Sequence, residues 1–503
     1  MSLGRSIAAG VLCGVTAIAC RPDSALTPRT SQPAASRTIT ASAVSAENAA
    51  SFAEPSNRYL VVFRSSSGAS AVAAELNSGG RLEGLHDGLG FAVVSGLSAE
   101  AAGRLRGAAG IAAVEADIEF ALEPVVEAEA VDATDIGIQS ATAPQTASQF
   151  GRQWNMRAVA ANNAWAAGFL GSSDVRVAIL DTGIDYLWPD LNGRVDLTRS
   201  ISLRPDEDAR LAFWFPGTTR HPITDLNAHG TLVSTVVASN SGVFAGVTTR
   251  TTLFGVKVCI VFNSCSTAAT LNGIVWAVDH DADVINMSLG GAFLKSANPG
   301  FVSVINNVFN YANRNGTVIV VAAGNSAADI DHFGNVYFTY CDSPYVVCVS
   351  ATGPTAAPTS IGPFTAPDAV APYTNFGRSA ISLAAPGGGA TTANAFVTGP
   401  CSSTSLNWFQ PATPPGGPTP PPVIVGPLCP LPGLFLIRGA GTSLSSPHVA
   451  GAAAQIVAQI GHGQPAQVRA ALQNSADDLG QPGTDPFYGK GRLNVARAVG
   501  AIP

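Results

Sequence analysis

From about residue 148 onward, short apolar runs alternate with longer helical stretches. VRVAIL (175–180), TLFGVKV (252–258), VINMSL (284–289), TVIVVAA (317–323) and YVVCVSA (345–351) have strand length and little polar alternation. Helical spacing falls near 267–280 and 301–313. Strands that are apolar on both faces need cover on both, which predicts an α/β domain with a parallel sheet. Ligands of such sheets bind at the carboxyl ends of the strands, so chemistry is expected there.

A different pattern precedes this region. YLVVF (59–63), SAVAAEL (70–76), FAVVSGL (91–97), a helix near 99–106 and IAAVEADIEF (111–120) read as β-α-β-α-β, a small α+β unit over 59–121. Residues 122–147 are rich in Ala, Glu, Asp and Thr without periodicity, which predicts an exposed linker of the kind proteases cut. At the start, Arg5 precedes an apolar run over 7–19, too short to span a bilayer but suited to an export signal in 1–20. Ala17-Ile18-Ala19 fits a small-x-small cleavage site, and Cys20 beside it offers the alternative of a lipid anchor at the cell envelope. Residues 21–57, rich in Ser, Thr, Ala and Pro, are expected to be disordered. The Pro-rich stretch 411–432 cannot form an inner strand or helix and is expected to be a surface excursion.

Composition narrows the class. Of 503 residues 46 % are hydrophobic and 12 % charged, enough for a sizeable core and too little charge for charge-driven disorder. The net charge is −7 and Lys/Arg residues do not cluster, so no nucleic-acid partner is expected. Setting aside Cys13 and Cys20, six cysteines remain. After export an even number favours disulfides, and the simplest of the 15 pairings is sequential: Cys259–Cys265, Cys341–Cys348 and Cys401–Cys429. A zinc site would need C-x2-C spacing and nearby His, which are absent.

Three segments carry candidate chemistry. One strand runs straight into Asp181-Thr182-Gly183-Ile184-Asp185. Ala228-His229-Gly230-Thr231 opens an apolar helical run. Gly441-Thr442-Ser443-Leu444-Ser445-Ser446-Pro447-His448 leads into a helix of small residues. A serine hydroxyl is a weak nucleophile near neutral pH. It needs an imidazole to take its proton and a carboxylate to fix that imidazole's tautomer.

These blocks, in the order Asp, His, Ser, resemble the signatures of the subtilisin-like serine peptidases, and the resemblance extends over about 59–503. It implies a three-layer α/β fold with a central, mainly parallel sheet over 148–503. It further implies a secreted endopeptidase made as a zymogen, with 59–121 as its inhibitory propeptide and a maturation cut in 122–147. Ser443 would be the nucleophile, His229 the general base and acid, and Asp181 the orienting carboxylate, with Asp185 the alternative. Ser445 and Ser446 fall at the wrong motif positions, and His448 matches a structural histidine. Ala323-Gly324-Asn325 resembles the block whose Asn325 donates to the oxyanion, and Ser288-Leu289-Gly290 resembles a backbone edge for substrate; Ala323 and Gly324 would line the same cleft. Leu444 stands where the family commonly has Met, and the interval 196–226 is an insertion.

The implied partners are an extended polypeptide substrate and the chain's own propeptide, in a monomer. No cofactor is required. Structural calcium is common in the family; Asp190, Asp225 and Asp329 are acidic loop residues without EF-hand spacing, so no calcium site is assigned. The contrasting reading is a catalytically silent peptide-binding protein on the same fold. An esterase would be expected to carry a G-x-S-x-G elbow, which Ser443 lacks.

Overall fold

The computed structural model describes residues 57–65, 67–76, 80–122, 126–131, 137, 139–389, 392–413, 417, 419–429 and 433–502. The export signal, Cys20 and the stretch to residue 56 lie outside the described residues. Among the described residues no helix is long and apolar enough to cross a membrane.

The expected central sheet is present and wholly parallel. Its seven strands lie in the order Leu383–Pro386, Val346–Thr352, Val318–Ala322, Val284–Met287, Arg176–Asp181, Thr252–Lys257 and Ile201–Ser202. Side chains alternate between its two faces, as strand geometry requires. Val177 and Ile179 join one core cluster, while Ala178 and Leu180 join the other. The helices His229–Val237 and Thr442–Ile460 line the first face, and Thr267–Asp279 and Pro299–Arg314 line the second. This is the three-layer arrangement.

The N-terminal unit is a four-stranded antiparallel sheet with two helices. Its order is β-α-β-β-α-β, because Arg81–His86 adds a strand that the sequence reading missed. One sheet face, with Val61, Ala92 and Val94, packs under its own helices. The other, with Leu60, Phe91 and Val93, shares the second core cluster with the helices Thr267–Asp279 and Pro299–Arg314. Two carboxylates strengthen that contact by capping those helices. Glu115 accepts from Gly300 N (2.7 Å) and Phe301 N (2.8 Å), and Asp117 from Ala268 N (2.9 Å). A carboxylate at a helix N-terminus satisfies orphan N–H groups and favours the dipole.

The expectation of an exposed linker over 122–147 needs correction. Val126–Val131 is a strand paired antiparallel with Leu434–Gly439. Further on, Gly137 N donates to Gly242 O, and Thr249 Oγ1 to Ala141 O. The insertion 196–226 holds the helix Pro205–Trp214, and the Pro-rich excursion carries a two-stranded ribbon, Leu406–Phe409 with Val423–Pro427. All three sequential disulfides are present.

Candidate active site

Asp181 ends its strand at the carboxyl edge of the sheet, fully buried. Its Oδ1 accepts from Thr182 N (2.7 Å) and lies 2.7 Å from His229 Nδ1. The carboxylate therefore assigns the proton of the neutral ring to Nδ1 and leaves Nε2 as the basic nitrogen. A Cβ on Gly230 would collide with the Gly183 carbonyl and crowd Asp181 Oδ1 at 3.1 Å, so only glycine lets the helix start approach this turn. Burial alone would lower the His229 pKa. The carboxylates of Asp181 and then Asp225 outweigh it and hold the imidazole above its ordinary value.

Asp225 acts here as a buried scaffold. Its Oδ1 accepts from Thr182 Oγ1 (2.9 Å), Asn227 N (2.9 Å) and Ala228 N (3.0 Å); its Oδ2 accepts from Thr231 N (2.9 Å) and Oγ1 (2.6 Å). One carboxylate thus ties the Asp181 turn to the helix start that carries His229. Asp190 is likewise filled by the amides of Gly242, Val243 and Phe244. Asp329 holds His332 and the Asp331 amide. Protein donors thus occupy all three acidic loop residues, and among the described residues no group of three or more His, Cys, Asp or Glu is arranged for a metal. The alternative carboxylate, Asp185, is engaged by other donors. It accepts from Ser403 N and Oγ (both 2.7 Å) and Leu187 N (3.2 Å).

Ser443 opens the helix Thr442–Ile460, which packs against the helix headed by His229. It is 8 % exposed, whereas Ser445 and Ser446 are 0 % exposed, so of these three serines Ser443 alone keeps contact with solvent. Pro447 has no N–H, so the carbonyl four residues earlier, that of Ser443, loses its helical donor. Ser288 Oγ supplies a replacement at 2.6 Å. The expectation for Ser288 concerns its backbone; its side chain has a separate role. Its side chain is fully buried, also bonded to Asn286 and Ser446, and it braces the serine turn. Leu289 is buried as well, and Gly290 follows beyond the last sheet pair, Met287↔Val321. His448 is a core residue. Burial pulls its pKa down to about 4, so it stays neutral, donating from Nδ1 to Leu444 O (2.8 Å) while Nε2 accepts from Asn155 Nδ2 (2.9 Å).

Asn325 sits beside the serine turn. Its Oδ1 accepts from Thr442 N (2.8 Å) and Thr442 Oγ1 (2.9 Å), which turns Nδ2 to the Gly441 side. The polar groups of Ala323 and Gly324 are used internally. Ala323 N donates to Val349 O and Gly324 N to Thr442 Oγ1, and Asn375 donates to both carbonyls. Their contribution to a cleft is therefore steric and positional. The sequence does not single out Thr442 or Asn375 as site residues, and it marks Asp225 only as an acidic loop residue. Thr442 had a signal, being inside the serine block; Asn375 had none.

The chain itself crosses this edge. Glu119–Ala121 pairs antiparallel with Ser264–Ser266, and Leu122 N donates to Asn263 O (2.7 Å). Phe120 lies so close to Gly291 that any Cβ there would strike its ring, and it neighbours the rings of Phe293 and Tyr340. Arg204 pairs with Glu119 (3.2 Å) and also donates to Ser264 O (3.2 Å). The strand Val126–Val131 then runs antiparallel to the segment leading into Ser443.

A family model described as the subtilase family, peptidase S8, matches residues 172–491. Subtilisin amylosacchariticus from Bacillus subtilis subsp. amylosacchariticus is 30 % identical over 335 residues, 66 % of this chain and 67 % of the relative. Thermitase from Thermoactinomyces vulgaris is 27 % identical over 354 residues, 69 % of this chain and 96 % of the relative. Among solved structures, the epidermin leader peptide processing serine protease from Staphylococcus aureus aligns with TM-score 0.63 at 19 % identity, over 89 % of this chain and 98 % of its own. Fervidolysin from Fervidobacterium pennivorans, a keratinolytic enzyme related to subtilisin, aligns with TM-score 0.62 at 21 % identity, over 88 % of this chain and 61 % of its own. The chain belongs to the subtilase family and is a serine endopeptidase.

Proposed function

We propose that this subtilase is exported as a zymogen and hydrolyses peptide bonds of extended polypeptides through an acyl-enzyme on Ser443. The observation that carries the reading is the 2.7 Å Asp181–His229 contact, beside the helix whose first turn holds Ser443, 8 % exposed. The Ser443 hydroxyl adds to the scissile carbonyl carbon as its proton passes to His229 Nε2. The carbonyl oxygen gains negative charge, which Asn325 Nδ2 and the Ser443 backbone N–H stabilise. The C–N bond then breaks, and the amine leaves with the proton from His229. Water adds to the resulting ester by the same route in reverse, freeing Ser443 and releasing the acid.

His229 must be unprotonated to accept that proton. Its pKa is raised, so kcat/KM should fall as pH drops through a value above the ordinary imidazole 6.5. A pH–rate profile on a peptide anilide checks this. Asp225→Asn should move the acid limb downward, and a wild-type limb at or below 6.5 would contradict the electrostatic argument.

The N-terminal unit, on this reading, is the propeptide, and residues 119–122 lie in the cleft as a substrate would. The strand pairings before and after this crossing support a narrower maturation window than 122–147. The first cut should fall between Leu122 and Val126, releasing a unit that caps two helices through Glu115 and Asp117. N-terminal sequencing of the earliest mature species tests this. A start within residues 123–126 is expected, and a first cut after residue 131 would refute the crossing as the maturation site.

A further inference from the structure

Two stretches that the catalytic chemistry leaves unused meet beside the cleft. The helix Pro205–Trp214 and the ribbon Leu406–Phe409/Val423–Pro427 enclose an open groove of about 440 Å³. Phe213, Trp214, Phe262, Pro422 and Ile424 line it, with Asp206 and Arg210 as its charged members. Its floor is well ordered by contacts: the Arg210 guanidinium lies 4.6 Å from the Phe262 ring centroid, and Trp408 packs edge-on to the same ring at 5.5 Å. Its rim is unusually apolar for a surface. Phe213 is 76 % exposed at the groove.

The groove borders, through Phe262, the segment that holds an extended chain. Phe262 is adjacent to Asn263, whose carbonyl accepts from Leu122 N. Both stretches are also fastened to the loop leading into His229. Val261 N donates to Glu207 Oε1 (3.1 Å), Asn227 Nδ2 donates to Val261 O (2.9 Å), and Leu406 N donates to Leu226 O (2.8 Å). A polypeptide lying along Ser264–Ser266 therefore passes within reach of an aromatic-lined recess that backbone pairing does not fill.

We propose that this groove is an exosite that takes an aromatic or large aliphatic side chain of a protein substrate. The proposal rests on the proteolytic reading above and adds to it a selectivity for long, apolar-rich substrates. Ring burial in such a recess supplies affinity without demanding a particular residue at the scissile bond, and a few central aromatic contacts carry most of the energy of such surfaces.

The test compares casein with a four-residue peptide anilide, using the wild type, Phe213→Ala, Trp214→Ala and a control at Ile361, exposed elsewhere. Phe213→Ala removes only an exposed ring, so it is informative even if Trp214→Ala unfolds. The expected result is a rise in KM for casein on the order of 3- to 10-fold in Phe213→Ala, with kcat/KM for the anilide and the Ile361→Ala control unchanged. Equal KM for casein in wild type and Phe213→Ala, or a parallel loss on both substrates, would overturn the exosite. So would sedimentation showing a wild-type dimer that Phe213→Ala splits, since the groove would then hold a second copy. A wild type that cleaves neither substrate would instead remove the proteolytic reading itself.

Discussion

Ser443→Ala is expected to yield a folded precursor that keeps its full mass and does not cleave casein. The hydroxyl is the only atom removed, and the Ser443 carbonyl bond to Ser288 and the helix start remain. Folding should therefore be unaffected, and thermal unfolding should match the unprocessed wild type. Without the nucleophile kcat should fall by about 10⁶-fold, as for the same set of residues in subtilisin. Because the maturation cut is proposed to use the same site, loss of activity and loss of processing should appear together. Intact-mass measurement over time separates them. Normal maturation of the variant in purified form would show that another group performs the cut.

Asn325→Ala should lower kcat on the order of 10²–10³ with KM nearly unchanged, the cost of deleting one oxyanion donor in subtilisin. The charge that the side-chain amide meets develops only after attack, so ground-state binding is little affected. Thr442 N and Oγ1 would lose their partner, which introduces a structural effect as well. Asn325→Asp separates the two. The carboxylate can still accept from Thr442 but cannot donate, so kcat should fall at least as far while Thr442 stays anchored. A variant pair in which Asn325→Ala loses activity and Asn325→Asp retains it would assign Asn325 to bracing the serine turn.

The parallel sheet was legible because its strands are buried on both faces and read as unbroken apolar runs such as VAIL before Asp181. Glycine-flanked motifs made Asp181, His229 and Ser443 legible, since close packing at these turns leaves little choice of neighbour. What escaped depends on contacts remote in sequence. Arg81–His86 is an outer, largely exposed strand whose two leucines, Leu82 and Leu85, stand apart among Arg, Glu, Gly and His and form neither an apolar run nor an alternation. Val126–Val131 looked like a linker because its partner, Leu434–Gly439, lies some three hundred residues away. Ser288 turned inward because Pro447 leaves a carbonyl unserved, a need visible only once both are adjacent. Asp190 and Asp225 read as loop acids, yet buried backbone amides claim them.

The most direct measurement is labelling of the mature enzyme by a fluorophosphonate, followed by peptide mapping. Such reagents phosphonylate a serine only where a neighbouring base activates it. The account predicts one adduct, on the peptide containing Ser443, formed in step with loss of activity. An adduct on another residue would contradict it.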